Sequence, residues 1–136
     1  MHANKKNQYN QTSISIIERA KLAKMLLRLF DLWKLDTFSQ LTLLGLSTTS
    51  RAMLSRYRQG ATPLPQTQDI LDRAGWLLAI HKALRSLYPK NIDLCYQWIV
   101  LPNQAFLNQT PLDYMKNYGL IGIAKVARFL QLQLVQ

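Results

Sequence analysis

Acidic residues are scarce in this chain of 136 residues: seven Asp and Glu stand against 17 Lys and Arg, and the formal net charge is +10. The single cysteine, Cys95, excludes an internal disulfide framework and fits a reducing compartment. No apolar run approaches the roughly 20 residues that a membrane-spanning helix needs. The first ten residues are polar, unlike a signal peptide. We therefore expect a cytoplasmic protein with no membrane partner.

Residues that perform chemistry are also few. Of the two histidines, His2 lies in the polar N-terminal stretch, and His81 lies on the apolar stripe of a predicted helix, a position more typical of a core residue than of a metal ligand. No His, Cys and carboxylate set has metal-ligand spacing, and no Gly-rich phosphate loop occurs. The sequence therefore predicts no catalytic residue, metal site or cofactor, and it disfavours a small hydrolase or transferase.

The positive charge is concentrated in the first two-thirds of the chain. Residues 1–90 hold 14 Lys and Arg and five acidic residues, a net charge of +9, whereas residues 91–136 have a net charge of +1. A basic segment can displace counterions from a polyanion, and the near-neutral, apolar remainder has no such attraction. This difference indicates that the two parts of the chain have separate functions. Charge alone does not separate DNA from RNA, a membrane surface or a generic basic surface.

Apolar residues recur at three- and four-residue steps along most of the chain, which predicts an all-α fold. Three regions follow: a flexible tail at 1–13, a helix-turn-helix region at 14–66, and a long connecting helix with a C-terminal domain at 67–136. Gly and Pro residues separate the helices. We expect helices at about 13–35, 37–44, 47–59, 67–88, 92–100, 111–118 and 120–136.

The segment Leu43–Ser47 joins two of these helices through Gly45, as in a helix-turn-helix. With Met53, Leu54 and Tyr57 as the buried face of the second helix, its other side mixes Arg, hydroxyl and small side chains, which suits base and phosphate contacts. An ordinary solvated helix is the alternative. One such helix reads few base pairs, so we expect a homodimer on operator DNA. The predicted DNA-binding residues are Ser47, Thr48, Arg51, Ala52, Ser55, Arg56, Arg58 and Gln59.

The segment from Trp98 to Met115 resembles the toxin-binding domain of the Xre/MbcA/ParS antitoxins. That pattern runs from a Trp through Pro-Asn, Phe and a Gly-containing turn to Ser/Thr-Pro-Leu; here it is carried by Trp98, Pro102, Asn103, Phe106 and Pro111. Asn108 stands where Gly is common, and Asn tolerates the positive φ of such a turn. Gln109 stands where Arg is frequent. Upstream, Leu43–Ser47 and Ile70–Arg85 resemble the Xre-type half, so the resemblance covers about residues 20–136.

The resemblance implies an antitoxin of a type II toxin-antitoxin system that represses its own operon. Its C-terminal region would cover the active site of a RES-domain toxin that consumes NAD or ADP-ribosylates a target. A plain dimeric helix-turn-helix regulator without a toxin partner is the alternative function.

Within the resembling tail, large aromatic side chains are expected to shape the module rather than contact the toxin. Trp98 and Phe106 should fasten the turn, and Asn103 should bond local backbone. The last helix already has Ile121, Ile123, Val126 and Ala127 for internal packing. The uncharged end of the chain is therefore the better contact surface, unless it only packs on its own core. Phe129, Leu130, Leu132, Leu134 and Val135 are the predicted toxin-binding residues.

Overall fold

The structure, a computed structural model, describes residues 14–136, and this part of the chain is all-helical without a β-strand. The predicted all-α class is confirmed. The predicted flexible tail at 1–13 lies outside the described residues. The helices are α1 (Ile16–Leu32), α2 (Thr37–Leu44), α3 (Met53–Gln59), α4 (Gln68–Leu87), α5 (Ile92–Gln97) and α6 (Pro111–Leu134), with single 3₁₀ turns at Thr48–Ser50, Trp98–Val100 and Gln104–Phe106.

Polar side chains fix where the helices begin. Asp36 accepts a hydrogen bond from the backbone N–H of Ser39 at 2.7 Å, and Thr67 accepts one from Ile70 at 3.4 Å. For α1 the N-cap is Ser15, so the expected start at about residue 13 is too early. Each cap satisfies a backbone donor that the first helical turn leaves without a partner.

Helix α4 lies at the centre of the fold and packs against α6, α1, α2 and α5. Its inward stripe is apolar and follows the predicted three- and four-residue spacing. His81, which the sequence placed on this stripe as a core residue, is only half-buried and lies beside it. The buried residues of the helix-turn-helix region and of the C-terminal helices join this stripe in one hydrophobic cluster. The two ends of the chain are therefore held in place by a shared core. The inward residues of α4 are Ile70, Ala74, Leu77, Ile80, Ala83 and Leu84.

The side chain of Arg73 ties α4 to the end of α2. Its Nε donates to Asp69 at 2.9 Å, and its Nη1 donates to the backbone carbonyls of Thr42 at 3.2 Å and Leu43 at 3.4 Å. A cation beside the last carbonyls of a helix also complements the helix dipole. Arg73 thus positions the helix-turn-helix on the central helix.

Helix α6 contains a break at Gly119, where φ is 63° and ψ is −141°. The sequence predicted two helices here, one opened by Pro111 and one from about Leu120. Both helices are present, but the second follows the first directly, without an intervening loop. A residue with a side chain would be strained at this φ, and a Cβ on Gly119 would lie 3.4 Å from Nη2 of Arg73.

Two glycines give opposite stability predictions on substitution by Ala. Gly45 has φ +74, and an added Cβ would lie 2.8 Å from Nε of Arg73; Gly75 lies inside α4 with nothing within 4 Å. We expect Gly45→Ala to lower the free energy of unfolding by about 1–2 kcal/mol or more, because the left-handed conformation penalises a side chain. The matched control, Gly75→Ala, should raise it by roughly 0.5–1 kcal/mol. Urea denaturation measures both, and equal effects of the two substitutions would contradict the assignment of Gly45.

Candidate nucleic-acid interface and C-terminal docking surface

The turn after α2 closes through a glycine in the left-handed region. Gly45 has φ 74° and ψ 26°, and its N–H donates to the carbonyl of Thr42, while Leu46 donates to Leu41. At the start of α2, the backbone N–H and then the hydroxyl of Ser39 hold the pKa of Asp36 below its ordinary value, and Lys116 adds to this effect. The first helix of the pair is thus capped at both ends, as expected for a helix-turn-helix.

The second helix is shorter than predicted. We expected it to run from an N-cap at Ser47 to Gln59, but a 3₁₀ turn occupies Thr48–Ser50 and α3 begins at Met53. The cause is the run of hydroxyl side chains, which compete for local hydrogen bonds. Ser47 Oγ lies 2.5 Å from Thr49 Oγ1 and does not cap the backbone. The N-terminus of the α-helix therefore lies at Met53 and not at Ser47 or Thr48.

The orientation of α3 agrees with the sequence prediction. Leu54 and Tyr57 are buried and Met53 is half-buried, so the helix packs through the face assigned to it. Helix α3 ends at Gly60, with φ 72°, as predicted. The residues predicted to contact DNA are all exposed on the described surface: Ser47, Thr48, Arg51, Ala52, Ser55, Arg56, Arg58 and Gln59.

The three arginines of this surface differ in their surroundings. Arg58 donates from Nε and Nη2 to the two carboxylate oxygens of Asp31, each at 3.0 Å, so its guanidinium is held against α1. Within residues 14–136, neither Arg51 nor Arg56 forms an ion pair. Those two cations can therefore reach a polyanion without first breaking an internal contact, whereas Arg58 serves mainly to join α3 to α1. The sequence pattern did not predict the Arg58–Asp31 pair, because its partners are 27 residues apart.

At the other end of the chain, an aromatic cluster fixes the C-terminal loop. The rings of Trp98 and Phe106 meet edge to face at 6.3 Å, and Phe129 packs against both, at 6.3 Å and 5.1 Å. Trp98 is 9% exposed and Phe106 is 4% exposed. Both are core residues, which agrees with the expected shaping role. Tyr114 extends the cluster with its ring centroid 5.2 Å from that of Phe106.

The loop between Pro102 and Pro111 is closed by its own hydrogen bonds. Asn103 accepts from the N–H of Ala105 through its side chain at 2.9 Å and donates from its backbone to the carbonyl of Gln109 at 3.0 Å. Asn108 has a positive φ of 61°, as the sequence predicted for an Asn that stands in place of Gly. Leu107 also has a positive φ, of 59°. Thr110 caps α6, and Pro111 is buried at its first turn. Pro102 is exposed.

The predicted toxin-binding residues divide into two groups. Leu132, Leu134 and Val135 are exposed, at 53%, 42% and 79% of their maximal areas. Leu130 is 1% exposed and Phe129 is half-buried in the aromatic cluster, because both continue the inward stripe of α6. Leu130 is therefore corrected from a contact residue to a core residue. Cutting the chain after Arg128 would remove part of the core.

A groove of about 490 Å³ runs along the outer side of α6, and we call it the C-terminal groove. Its apolar wall includes Ile121, which is 67% exposed, and the exposed Leu132. Sequence reasoning assigned Ile121 to internal packing, and the structure corrects this. The helical spacing of the sequence already separates two faces. One face consists of Ile123, Val126, Ala127 and Leu130, and Ile121 and Leu132 lie on another. Lys125 and Arg128 line the groove beside them.

The described residues show no arrangement that would bind a metal. Across residues 14–136, no three His, Cys, Asp or Glu side chains come together in a way that could hold an ion. Cys95 is buried, and its thiol contacts the carbonyl oxygens of Leu84 and Tyr88 at 3.3 and 3.2 Å. Over the same range, no helix is long and apolar enough to cross a membrane.

Comparison with known proteins finds a relative of this chain. A protein of Sinorhizobium fredii (strain NBRC 101917 / NGR234), called "Uncharacterized protein y4oB", is 30% identical to this chain over 106 residues, which is 78% of each chain. No protein-family model matches the chain. The name of the relative assigns no activity and no partner.

Removing either central aromatic ring should act through folding. We expect Trp98→Ala and Phe106→Ala each to lower the free energy of unfolding by about 3–5 kcal/mol, because each leaves a cavity in the core. The control is Leu107→Ala in the same loop, where the side chain is 67% exposed, and its effect should stay within about 0.5 kcal/mol. Thermal melting followed by circular dichroism measures all three. Unchanged melting of the Trp98 variant would contradict the assignment of this ring to the core.

Proposed function

The chain belongs to the same family as the Sinorhizobium protein, and we propose that it is an antitoxin: a non-enzymatic protein that binds operator DNA and silences a toxin. One observation carries the proposal. A single core holds two exposed surfaces of different chemistry, a cationic one on the helix-turn-helix and an apolar one on α6. Between Thr37 and Gln68 the chain has three arginines and no acidic residue.

The first surface supports operator binding and repression of the protein's own operon. Arg51 and Arg56 are exposed without ion-pair partners in the described part of the chain, and Ser55 and Gln59 stand beside them. Arginine recognises guanine edges with two hydrogen bonds, and hydroxyl and amide groups reach bases or phosphates. A homodimer would place two such helices on a two-fold site.

The second surface supports binding of a protein toxin. The C-terminal groove combines apolar side chains with Lys125 and Arg128, and the exposed Leu132, Leu134 and Val135 continue it to the end of the chain. Apolar contact area gives the affinity, and the two cations can meet an acidic cleft. Following the resemblance, the partner is a RES-domain toxin whose NAD site this region covers.

A plain dimeric regulator without a toxin is the second candidate, and the exposed helix-turn-helix surface would serve it equally well. Co-expression with the neighbouring reading frame separates the two functions. An antitoxin rescues growth from a toxic neighbour, whereas a plain regulator does not.

The operator prediction concerns Arg51 and Arg56. We expect Arg51→Ala with Arg56→Ala to weaken binding to the protein's own promoter and to reduce the slope of log K against log salt by about 0.9 for each phosphate that is no longer neutralised. Toxin neutralisation should persist. The control, Lys82→Ala with Lys90→Ala, removes the same charge from exposed positions outside the helix-turn-helix. Fluorescence anisotropy over a salt series measures the slopes, and equal slopes for the two double variants would remove α3 from the DNA interface.

The toxin prediction concerns the exposed end of α6. Ending the chain after Gln131 removes Leu132, Leu134 and Val135 and keeps the buried Leu130. We expect the shortened protein to melt close to the full chain, to bind its promoter, and to lose inhibition of the toxin's NAD consumption. Ile121→Asp tests the same groove without shortening the chain, and Lys90→Asp is its control on exposed surface elsewhere. Full inhibition by both altered proteins would contradict occlusion by this region.

A further inference from the structure

A second apolar cleft, of about 440 Å³, lies between α1 and α4 and is closed at one side by Tyr96 of α5. Its walls include Met25, Leu29 and Leu78, and none of its lining residues is acidic. The volume falls within the range of small-molecule sites, which are mostly apolar with a few polar groups that fix orientation. It shares no residue with the helix-turn-helix surface or with the C-terminal groove.

Two arginines line this cleft from opposite helices. Arg28 comes from α1 and Arg85 from α4, and both are exposed. The ion pairs among residues 14–136 are Arg58–Asp31 and Arg73–Asp69, so neither cleft arginine has a carboxylate partner there. Two guanidinium groups beside apolar walls, without an internal anion, are complementary to an external one.

His81 and Tyr96 add a flat surface to the cleft. Their rings stack with centroids 5.9 Å apart and planes 16° from parallel. Partial burial and then the charge of Arg85 lower the pKa of His81 below its ordinary value, which favours the uncharged ring. The histidine therefore contributes a ring face and hydrogen-bonding nitrogens rather than a third positive charge.

From this geometry we propose that the cleft binds a small organic anion with an apolar body. Arg28 and Arg85 hold its carboxylate or similar acid group, and the body lies against Met25, Leu78 and Tyr96. A second copy of the chain fits less well, because the net charge of each copy is +10 and the charged side chains that line the cleft, Arg28 and Arg85, are both positive. The proposal does not depend on the antitoxin function.

Binding of 1-naphthoate to the full chain tests the proposal, with NMR shifts of His81, Tyr96 and Leu78 as the readout. The neutral analogue 1-naphthamide has nearly the same shape. We expect naphthoate to shift these signals and to bind at least tenfold more tightly than the amide, because charge-assisted hydrogen bonds to arginine contribute about this factor or more. Equal binding of the two compounds would overturn the proposal, as would shifts confined to other residues or no shifts at millimolar naphthoate.

Charge variants locate the site. Arg28→Gln with Arg85→Gln should weaken naphthoate binding about tenfold or more. The control, Lys125→Gln with Arg128→Gln, removes the same charge from the C-terminal groove and should leave binding unchanged. Equal losses in the two double variants would contradict the assignment of the cleft. Arg85→Gln alone replaces the double variant if that does not fold, and the comparison of naphthoate with its amide on the unaltered chain stands in either case.

Discussion

The packing of α4 against α6 is the contact on which the rest of the structure depends. Helix α4 buries a stripe that runs from Ile70 to Leu84, and the inward face of α6 covers it with Ile123, Val126, Ala127 and Leu130. Helices α1 and α2 then pack on the remaining sides of α4. Because the hydrophobic effect is roughly proportional to the apolar area removed from water, this central helix contributes to stability along its whole length.

Two polar contacts fix the helix-turn-helix on that core. Arg73 donates to the carbonyls at the end of α2, and Arg58 pairs with Asp31 of α1. The ion pair between Arg58 and Asp31 is exposed, so its contribution to the free energy of unfolding is small. Its main effect is to orient α3. Arg73 also lies beside Gly45 in the turn after α2 and beside Gly119 at the break of α6. One guanidinium therefore lies next to both of these positions.

Local sequence signals predicted those parts of the fold that depend on interactions between residues close in sequence. The bounds of α2, the left-handed glycines at its end and at the end of α3, and the positive φ of Asn108 follow from caps and turn preferences. The buried face of α3 and the role of Trp98 follow from periodicity and ring size. The predictions failed at positions where several hydroxyl groups compete, as at Thr48–Ser50, and where a helix has two apolar faces, as for Ile121 and Leu130. Long-range pairs such as Arg58–Asp31 leave no periodic signal.

We propose that one core presents two independent surfaces, α3 for operator DNA and the outer side of α6 for a toxin. Amide hydrogen exchange of the full chain, alone and with each partner in turn, tests it most directly. We expect the promoter fragment to protect residues 47–59 and to leave 121–135 unchanged, and the neighbouring toxin to do the reverse. Protection of the same segment by both partners, or protection by neither, would contradict the proposal of two independent surfaces.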